Sequence, residues 1–297
     1  MELFLDCLPC LHRQVLEAAR IATTDEACQA RILDRAAVTL TRRADFASAP
    51  AMAKAMHDIV REETGVADAY RQIKWRELDA ALALEPMLWA FAAEGSDPLG
   101  SALKVAATGN VMDSALVPDL DINACVSAEL RRPFARCDAA ALAHDLATAR
   151  TVLVVADNAG EAVFDKPLLD LLGRGRDVVY AVRDTPSLND STLEEARYAG
   201  VDAHARLISS GCSTPGTILD TCTPEFLELF GAADVVISKG QGNYEALCPT
   251  PRPLYLLLKA KCALIARRLG CQVGDYVLER REPNEASAPA SAGTAGR

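Results

Sequence analysis

The chain lacks several features that would settle its class at once. No block of Lys and Arg stands out, and 41 acidic residues outnumber 31 basic ones, for a net charge of −10. Binding to a phosphate backbone depends on clustered cations, so the balance argues against a nucleic-acid partner. No apolar run approaches the roughly 18 residues of a transmembrane span, which leaves no membrane partner to expect. The first residues, MELFLDCLPCLHRQ, carry acids and a proline where a signal peptide needs basic residues and a long apolar run. A cytoplasmic location is the expectation. The ten cysteines follow no regular framework, which favours reduced thiols over disulfides. Cys7-Leu8-Pro9-Cys10 is the only C-x-x-C, and no second one completes a tetrahedral zinc set. With His12 and Cys28 near, those thiols either serve a metal or redox pair or pack the first helix.

Half of the 297 residues are hydrophobic, enough for a large buried core in one large domain or two ordinary ones. In so acidic a chain, a small anionic substrate needs a local positive device: a metal, a lysine or a helix N-terminus. Residues 15–92 are rich in Ala, Leu, Glu and Arg with apolar positions every three or four residues, and read as all-helical. Within them Gly65 reads as a helix C-terminal residue and Asp68 as the next N-cap. His57 reads as structural before catalytic. Residues 101–113 form a small-residue helix broken at Gly109-Asn110, which either ends the helix or turns Asn110 and Asp113 toward a ligand. Residues 117–147 read as helical and turn-rich.

After Thr151 the pattern becomes strands alternating with helices. Strands are expected at 151–155, 177–182, 205–209, 234–238 and 254–258, with helices at 164–172, 193–199 and 226–230. That alternation predicts an α/β fold of parallel βαβ units whose strand ends share one rim. The tail from Glu282 is rich in Ala, Ser, Pro and Gly and reads as disordered over 282–297.

The stretch that organises the chain is TVLVVADNAGEAVFD, residues 151–165. An unbroken β-branched run reads as a strand buried on both faces, ending at Asp157-Asn158-Ala159-Gly160-Glu161. In open α/β sheets ligands bind outside the carboxyl ends of strands. Two adjacent hard oxygen donors suit Mg²⁺ or Mn²⁺; the plainer role for both is a helix cap. Asp190 likewise precedes a helix and reads as a cap, with Glu194 favoured in its first turn. If its strand neighbours the first, Asp190 joins Asp157 and Asn158 in an octahedral site with room for waters and substrate. The glycines and hydroxyls of residues 209–217 offer donors to a phosphate, without the G-x-x-x-x-G-K-[ST] spacing of a nucleotide-binding loop. Ser238-Lys239-Gly240-Gln241-Gly242-Asn243 places a lysine in a glycine-rich turn, as a point charge on a phosphoryl oxygen or as a solvated strand-end lysine.

Taken in order, Asp157 to Glu161 with Phe164-Asp165, then Asn189-Asp190-x-Thr192, then Ser238 to Glu245, resemble the damage-control phosphatase family. This is the ARMT-like family, long described as a domain of unknown function. Cys7-x-Pro9-Cys10, the segment from His57 to Gly65 with Tyr70 and Lys74, Gly109-Asn110-x-x-Asp113, and Lys259-Ala260-Lys261-Cys262 resemble its stand-alone prokaryotic branch. The resemblance covers residues 1–279. It implies a helical region over 1–147 packed on a three-layer α/β/α sandwich over 148–281, and metal-dependent hydrolysis of small phosphomonoesters such as sugar phosphates or damaged phosphometabolites. By position, Asp157, Asn158 and Asp190 would bind the metal, Mg²⁺ or Mn²⁺, or else Co²⁺ or Ni²⁺. Lys239 would contact phosphate, and Glu161, Gly109, Asn110, Asp113, Ser238 and Gly240 would line the pocket. Arg183-Asp184-Thr185-Pro186 departs from the glycine-rich turn of related chains. Two other functions stay open: an S-adenosylmethionine-dependent carboxyl methyltransferase, although no G-x-G-x-x-G-like loop follows the first strand, and a non-catalytic phosphometabolite-binding protein. Oligomeric state cannot be read from the chain.

Overall fold

The run Thr151–Val155 is apolar throughout because it is a central strand, paired in parallel with Asp177–Val182 on one side and Val235–Lys239 on the other. The computed structural model describes residues 1–114 and 121–283, with 113 and 114 by backbone alone. Over these the helices are α1 (Cys7–Ala22), α2 (Glu26–Thr41), α3 (Ala49–Thr64), α4 (Arg71–Ala93), α5 (Pro98–Thr108), α6 (Ile122–Leu130) and α7 (Ala139–Leu146). They continue with α8 (Glu161–Leu172), α9 (Leu193–Tyr198), α10 (Pro224–Ala232), α11 (Gln241–Leu247) and α12 (Ala263–Leu269). The strands are β1 (Phe134–Cys137), β2 (Thr151–Val155), β3 (Asp177–Val182), β4 (Arg206–Ser209), β5 (Val235–Lys239), β6 (Leu254–Lys259) and β7 (Tyr276–Arg281). They form one sheet in the order β1-β7-β6-β5-β2-β3-β4, in which only the β6–β7 pair is antiparallel.

Side chains alternate across the strands, and the alternation separates two cores. Val152, Val154, Tyr180 and Ile237 pack on one face with residues of α4, α5 and α8. Leu153, Val155, Val179 and Val236 pack on the other with Phe226 and Phe230 of α10 and Ile265 of α12. Three layers result, as the resemblance implies. A third core lies outside the sandwich, where Val15, Ile32, Met52 and Met56 of α1–α3 are fully buried against each other. Gly65 closes α3 in the left-handed region at φ 70°, a conformation that costs glycine little. Asp68 caps the turn ahead of α4, accepting from the Tyr70 N–H at 3.1 Å and pairing with Lys74 at 2.8 Å.

Two expectations need correction. Residues 117–147 are not wholly helical: β1 lies among them, so a boundary after residue 147 cuts a strand from its sheet. β1 is four residues with three exposed, and it carries no apolar run to betray it. The self-contained helical unit is α1–α3, while α4–α7 belong to the sandwich. β7, α11 and α12 also escape the sequence reading. Both helices have seven residues, too few for a periodic signal, and β7 ends in charged residues. Of the expected tail, 284–297 lies outside the described residues. No described helix is long and apolar enough to cross a membrane.

Candidate active site at the carboxyl rim of the sheet

Val155 is level with Ala181 of β3 and Ser238 of β5, so three strand ends deliver their following residues to one place. The β2 and β3 extensions are zipped there. Ala159 N–H donates to Asn189 O at 2.8 Å and Ser191 N–H to Asp157 O at 2.9 Å, with a backbone bridge between Asn158 and Asp190. Asp157, Asn158 and Asp190 are thus brought together, all three buried.

None of the three is a helix cap. The N-cap position of α8 is Gly160, with no side-chain cap bond. That of α9 is Thr192, in a reciprocal capping box with Glu195. With the caps supplied elsewhere, the carboxylates have no helix-starting role. Glu194 does sit in the first turn of α9, bound to Arg71 at 2.9 Å.

The three differ in their partners. Asp190 accepts from Arg183 Nε at 2.6 Å through Oδ2. Asn158 Nδ2 donates to Glu161 Oε1 at 3.2 Å, which turns its amide oxygen away from Glu161. Among the described residues the Asp157 carboxylate has no hydrogen-bond or ion-pair partner. Burial, followed by repulsion from Glu161 and Asp190, raises its pKa well above the ordinary carboxylate range. Burial also raises Asp190, with Arg183 opposing. Gly240 is what lets Asp157 lie where it does: a Cβ there would stand 1.8 Å from Asp157 Oδ2, at a φ of 79° that side chains resist.

A cavity of about 220 Å³ opens over this rim. Its floor is Asp157, Asn158, Asn189 and Asp190; Leu11 of α1 with Pro50 and Ala53 of α3 form its roof, and Lys261 and Gln241 flank it. The helical unit therefore acts as a lid built on the sheet.

Lys239 is placed below that floor. It is 1% exposed and donates to Glu161 Oε2 at 3.0 Å and Asp165 Oδ1 at 2.6 Å. Burial alone would lower its pKa; the two carboxylates reverse this and raise it. Glu161 Oε1 also accepts from Asn110 Nδ2 at 3.1 Å, and Asp165 Oδ2 accepts from the Tyr180 hydroxyl at 2.8 Å. Glu161 and Asn110 thus join the site through this network. Gly109 is a packing residue, since a Cβ there would sit 3.2 Å from the Glu161 Cα. Ser238 is buried within β5 with no partner for its hydroxyl. The Asp113 side chain lies outside the described residues.

Three residues that the sequence reading did not place in the site are central to its geometry. Lys261 lines the cavity, and its charge favours the ionised forms of Asp157 and Asp190. Arg183, 1% exposed, ties Asp190 to Thr217 and Asn243 through its other two nitrogens. Asn243 Oδ1 accepts from Arg183 and Thr217 while its Nδ2 donates to Ala156 O and Lys239 O, both at 2.8 Å, locking β2 to β5. The signal for Arg183 was its departure from a glycine-rich turn. The hydroxyls of 209–217 are spent on the protein, with Thr214 on Gly216 O, Thr217 on Asn243 and Ser209 on Asp184, and Pro215 is the loop's contribution to the cavity wall. Cys7 and Cys10 lie in the first turn of α1, and all ten cysteines are free thiols.

Fold and site define a three-layer α/β protein with an acidic, lysine-flanked cavity at the switch point of a largely parallel sheet, where β2 lies between β3 and β5. The chain belongs to the damage-control phosphatase ARMT1-like domain family, whose domain matches residues 3–277. It is 32% identical over 287 residues to an uncharacterized protein of Methanocaldococcus jannaschii, covering 93% of this chain and 94% of that one. It is 30% identical to a damage-control phosphatase of Archaeoglobus fulgidus over 281 residues, 91% of this chain and 96% of the relative. The crystal structure of a DUF89 family protein from Pyrococcus horikoshii superposes with a TM-score of 0.88 at 28% identity, covering 95% of this chain and all of that one.

Proposed function

We propose that this protein is a divalent-metal-dependent phosphatase acting on small phosphomonoesters, sugar phosphates or damaged phosphometabolites. The relatives that carry the damage-control phosphatase name support the phosphatase class. The observation that carries the metal is Asp157: a buried carboxylate without a hydrogen-bond or ion-pair partner among the described residues, its charge opposed by Glu161 and Asp190, beside an amide oxygen and a second carboxylate. A divalent ion relieves such a concentration of negative charge. No group of three or more His, Cys, Asp or Glu among the described residues could hold a metal, so the ion would rest on Asp157, Asp190 and the Asn158 amide, with waters completing the shell. Hard oxygen donors of this kind fit Mg²⁺ or Mn²⁺, with Co²⁺ and Ni²⁺ as substitutes. When bound, the ion supplies Lewis-acid stabilisation of a phosphoryl oxygen.

The chain's own residues supply the rest. Lys261, on the cavity wall, is assigned to the phosphoryl group as a point charge, in place of the more deeply buried Lys239. Lys239 holds Glu161, and Glu161 in turn holds Asn158 and Asn110, so its role is to position the floor. Arg183 engages one oxygen of Asp190 and leaves the other to the ion. Leu11 of α1 with Pro50 and Ala53 of α3 cover part of the cavity with apolar surface, which strengthens the charge interactions directly beneath them.

The expected result is phosphate release from p-nitrophenyl phosphate or a hexose phosphate that stops with EDTA and returns with Mg²⁺, Mn²⁺, Co²⁺ or Ni²⁺. Full activity of Asp157→Ala or Asp190→Ala with metal present would refute the site. Binding of phosphate esters without any release would identify a non-catalytic binding protein, and calorimetric binding of S-adenosylmethionine in preference to a phosphate analogue with Mn²⁺ would favour the methyltransferase.

A further inference from the structure

The loop between β4 and α10, residues 210–223, carries two cysteines that the chemistry of the site does not use. Cys212 is fully buried; Cys222 is half-buried, with the exposed residues Asp220 and Thr221 just before it. Three observations join the pair.

The first is contact. Thr223 N–H donates to Ser210 O at 2.9 Å, which folds the loop back on itself and sets the two cysteines opposite each other. The approach is so close that a Cβ on Gly211 would stand 2.7 Å from the Thr223 nitrogen. Both sulfurs meet at Ile218: Cys212 Sγ accepts from its N–H and Cys222 Sγ donates to its carbonyl, each at 3.4 Å. The two thiols also hydrogen-bond each other. A disulfide needs neighbouring backbones and converging side chains, and both are in place.

The second is charge. The hydrogen bond from Cys222, helped by Thr214 and the Arg183 guanidinium and opposed by burial, draws the Cys212 pKa down to about 4. The same bond holds the Cys222 thiol high. The pair therefore shares one proton and one negative charge at pH 7.

The third is position. Between the two cysteines lie Pro215, on the cavity wall, and Thr217, which donates to Asn243 and accepts from Arg183, the residue that holds Asp190. This span is pressed onto α11, where a Cβ on Gly242 would stand 2.4 Å from Pro215 O. Cys212 Sγ anchors the span through Ile218 N–H and through the Thr214 hydroxyl 2.9 Å away.

We propose that Cys212 and Cys222 are a reversible oxidation site, and that their disulfide, formed by a peroxide, lowers activity by releasing the wall loop. The loss of activity rests on the cavity being the phosphatase site; the oxidation itself does not. With the shared proton on Cys212, the Cys222 thiolate attacks the peroxide: an S–O bond forms, the O–O bond breaks and hydroxide leaves. Cys212 Sγ then attacks the sulfenic sulfur. The S–S bond forms, the S–O bond breaks, and the second oxygen leaves as water with the Cys212 proton. Two sulfurs lose two electrons and the peroxide gains them. A Cys212 sulfur turned toward Cys222 and stripped of its charge no longer serves Ile218 N–H or Thr214, so residues 213–218 lose their anchor.

The test treats the full chain with hydrogen peroxide, blocks the remaining thiols and analyses the tryptic peptide 207–239, whose two cysteines are Cys212 and Cys222. The expected product is that peptide two hydrogens lighter, restored by dithiothreitol. Amide exchange over residues 213–218 is expected to quicken in the oxidised form. Turnover of p-nitrophenyl phosphate is expected to fall about ten-fold in kcat/KM, as when a partner of a metal ligand is disturbed, and to recover with reductant. Cys222→Ser is expected to keep the wild-type rate and to hold it after peroxide. The proposal is overturned if the peptide keeps both thiols under peroxide that oxidises the exposed Cys10 and Cys137. It is overturned equally if the disulfide forms with exchange or rate unchanged, or if Cys222→Ser is inactivated as fast as wild type. Should Cys222→Ser not fold, peptide mass, exchange and rate of the wild type decide. If wild type releases no phosphate with any of the four metals, the phosphatase reading fails on its own, and peptide mass and exchange decide the oxidation site.

Discussion

The ion-paired network beneath the site and the cavity surface above it are built on opposite principles. Beneath the floor, Lys239 meets two carboxylates, Glu161 serves two amides as well, and Asp165 takes a tyrosine hydroxyl. At the cavity surface, Asp157 is buried beside Glu161 and Asp190 with no hydrogen-bond or ion-pair partner among the described residues, and His57 on α3 keeps an orphaned nitrogen. A satisfied buried network specifies a structure, whereas an unsatisfied one stores a demand that a ligand can meet. In this molecule the first kind positions the second.

Breaking the network beneath should therefore destabilise the protein, and breaking the cavity surface should cost only function. Lys239→Met leaves Glu161 and Asp165 buried without a cation. A loss of about 3–5 kcal/mol in urea unfolding is expected. Lys261→Met should leave unfolding within about 1 kcal/mol, since its side chain lines an open cavity, while lowering kcat/KM on the order of 100-fold. Equal stability losses in the two variants would erase the distinction.

Gly240→Ala joins the two regions. The added methyl stands on Asp157 Oδ2 at a φ that alanine resists, so the Asp157 carboxylate must shift. About 1 kcal/mol or more of stability and on the order of 100-fold in activity are expected to go together. Weakened Mn²⁺ binding by calorimetry would place the fault at the ligand.

Lys104 supplies a control far from the site. It is 6% exposed, with its ammonium 3.5 Å from the Tyr276 ring centre and no carboxylate bound to it among the described residues. Burial pulls its pKa down to about 7, the reverse of Lys239. A lysine depressed in the folded state binds fewer protons there than when unfolded. Its contribution to stability is therefore complete above its ordinary value near 10.5 and is lost as pH falls through about 7. Relative to Lys104→Met, the wild type should gain stability as pH is raised from 7 toward 10, read from paired urea titrations. A flat difference would mean that an unseen anion accompanies Lys104.

Local pattern carried much of the architecture. β2 and β3 fall where their apolar runs place them, because a strand buried on both faces needs no alternation and shows as a continuous block. Asp157, Asn158 and Asp190 were legible as candidates because polar residues at the end of such a block mark the sheet's rim. The chain could not say whether they cap helices, since capping depends on backbone geometry; Gly160 and Thr192 settle that. Nor could it separate the two lysines. Lys239 and Lys261 both follow apolar strands, and what distinguishes them is which carboxylates the sheet order brings against each. β1 was hidden because a short edge strand is identified by its partner rather than by its own composition, and that partner is β7, where Leu278 pairs with Cys137 from 141 residues further along the chain. The amino-acid sequence by itself determined where strands and helices form and which residues were available for chemistry, because these follow from local periodicity and residue type. Only the tertiary structure decided which charges are answered and which are left open, because pairing in a low-dielectric interior is set by neighbours distant in the chain.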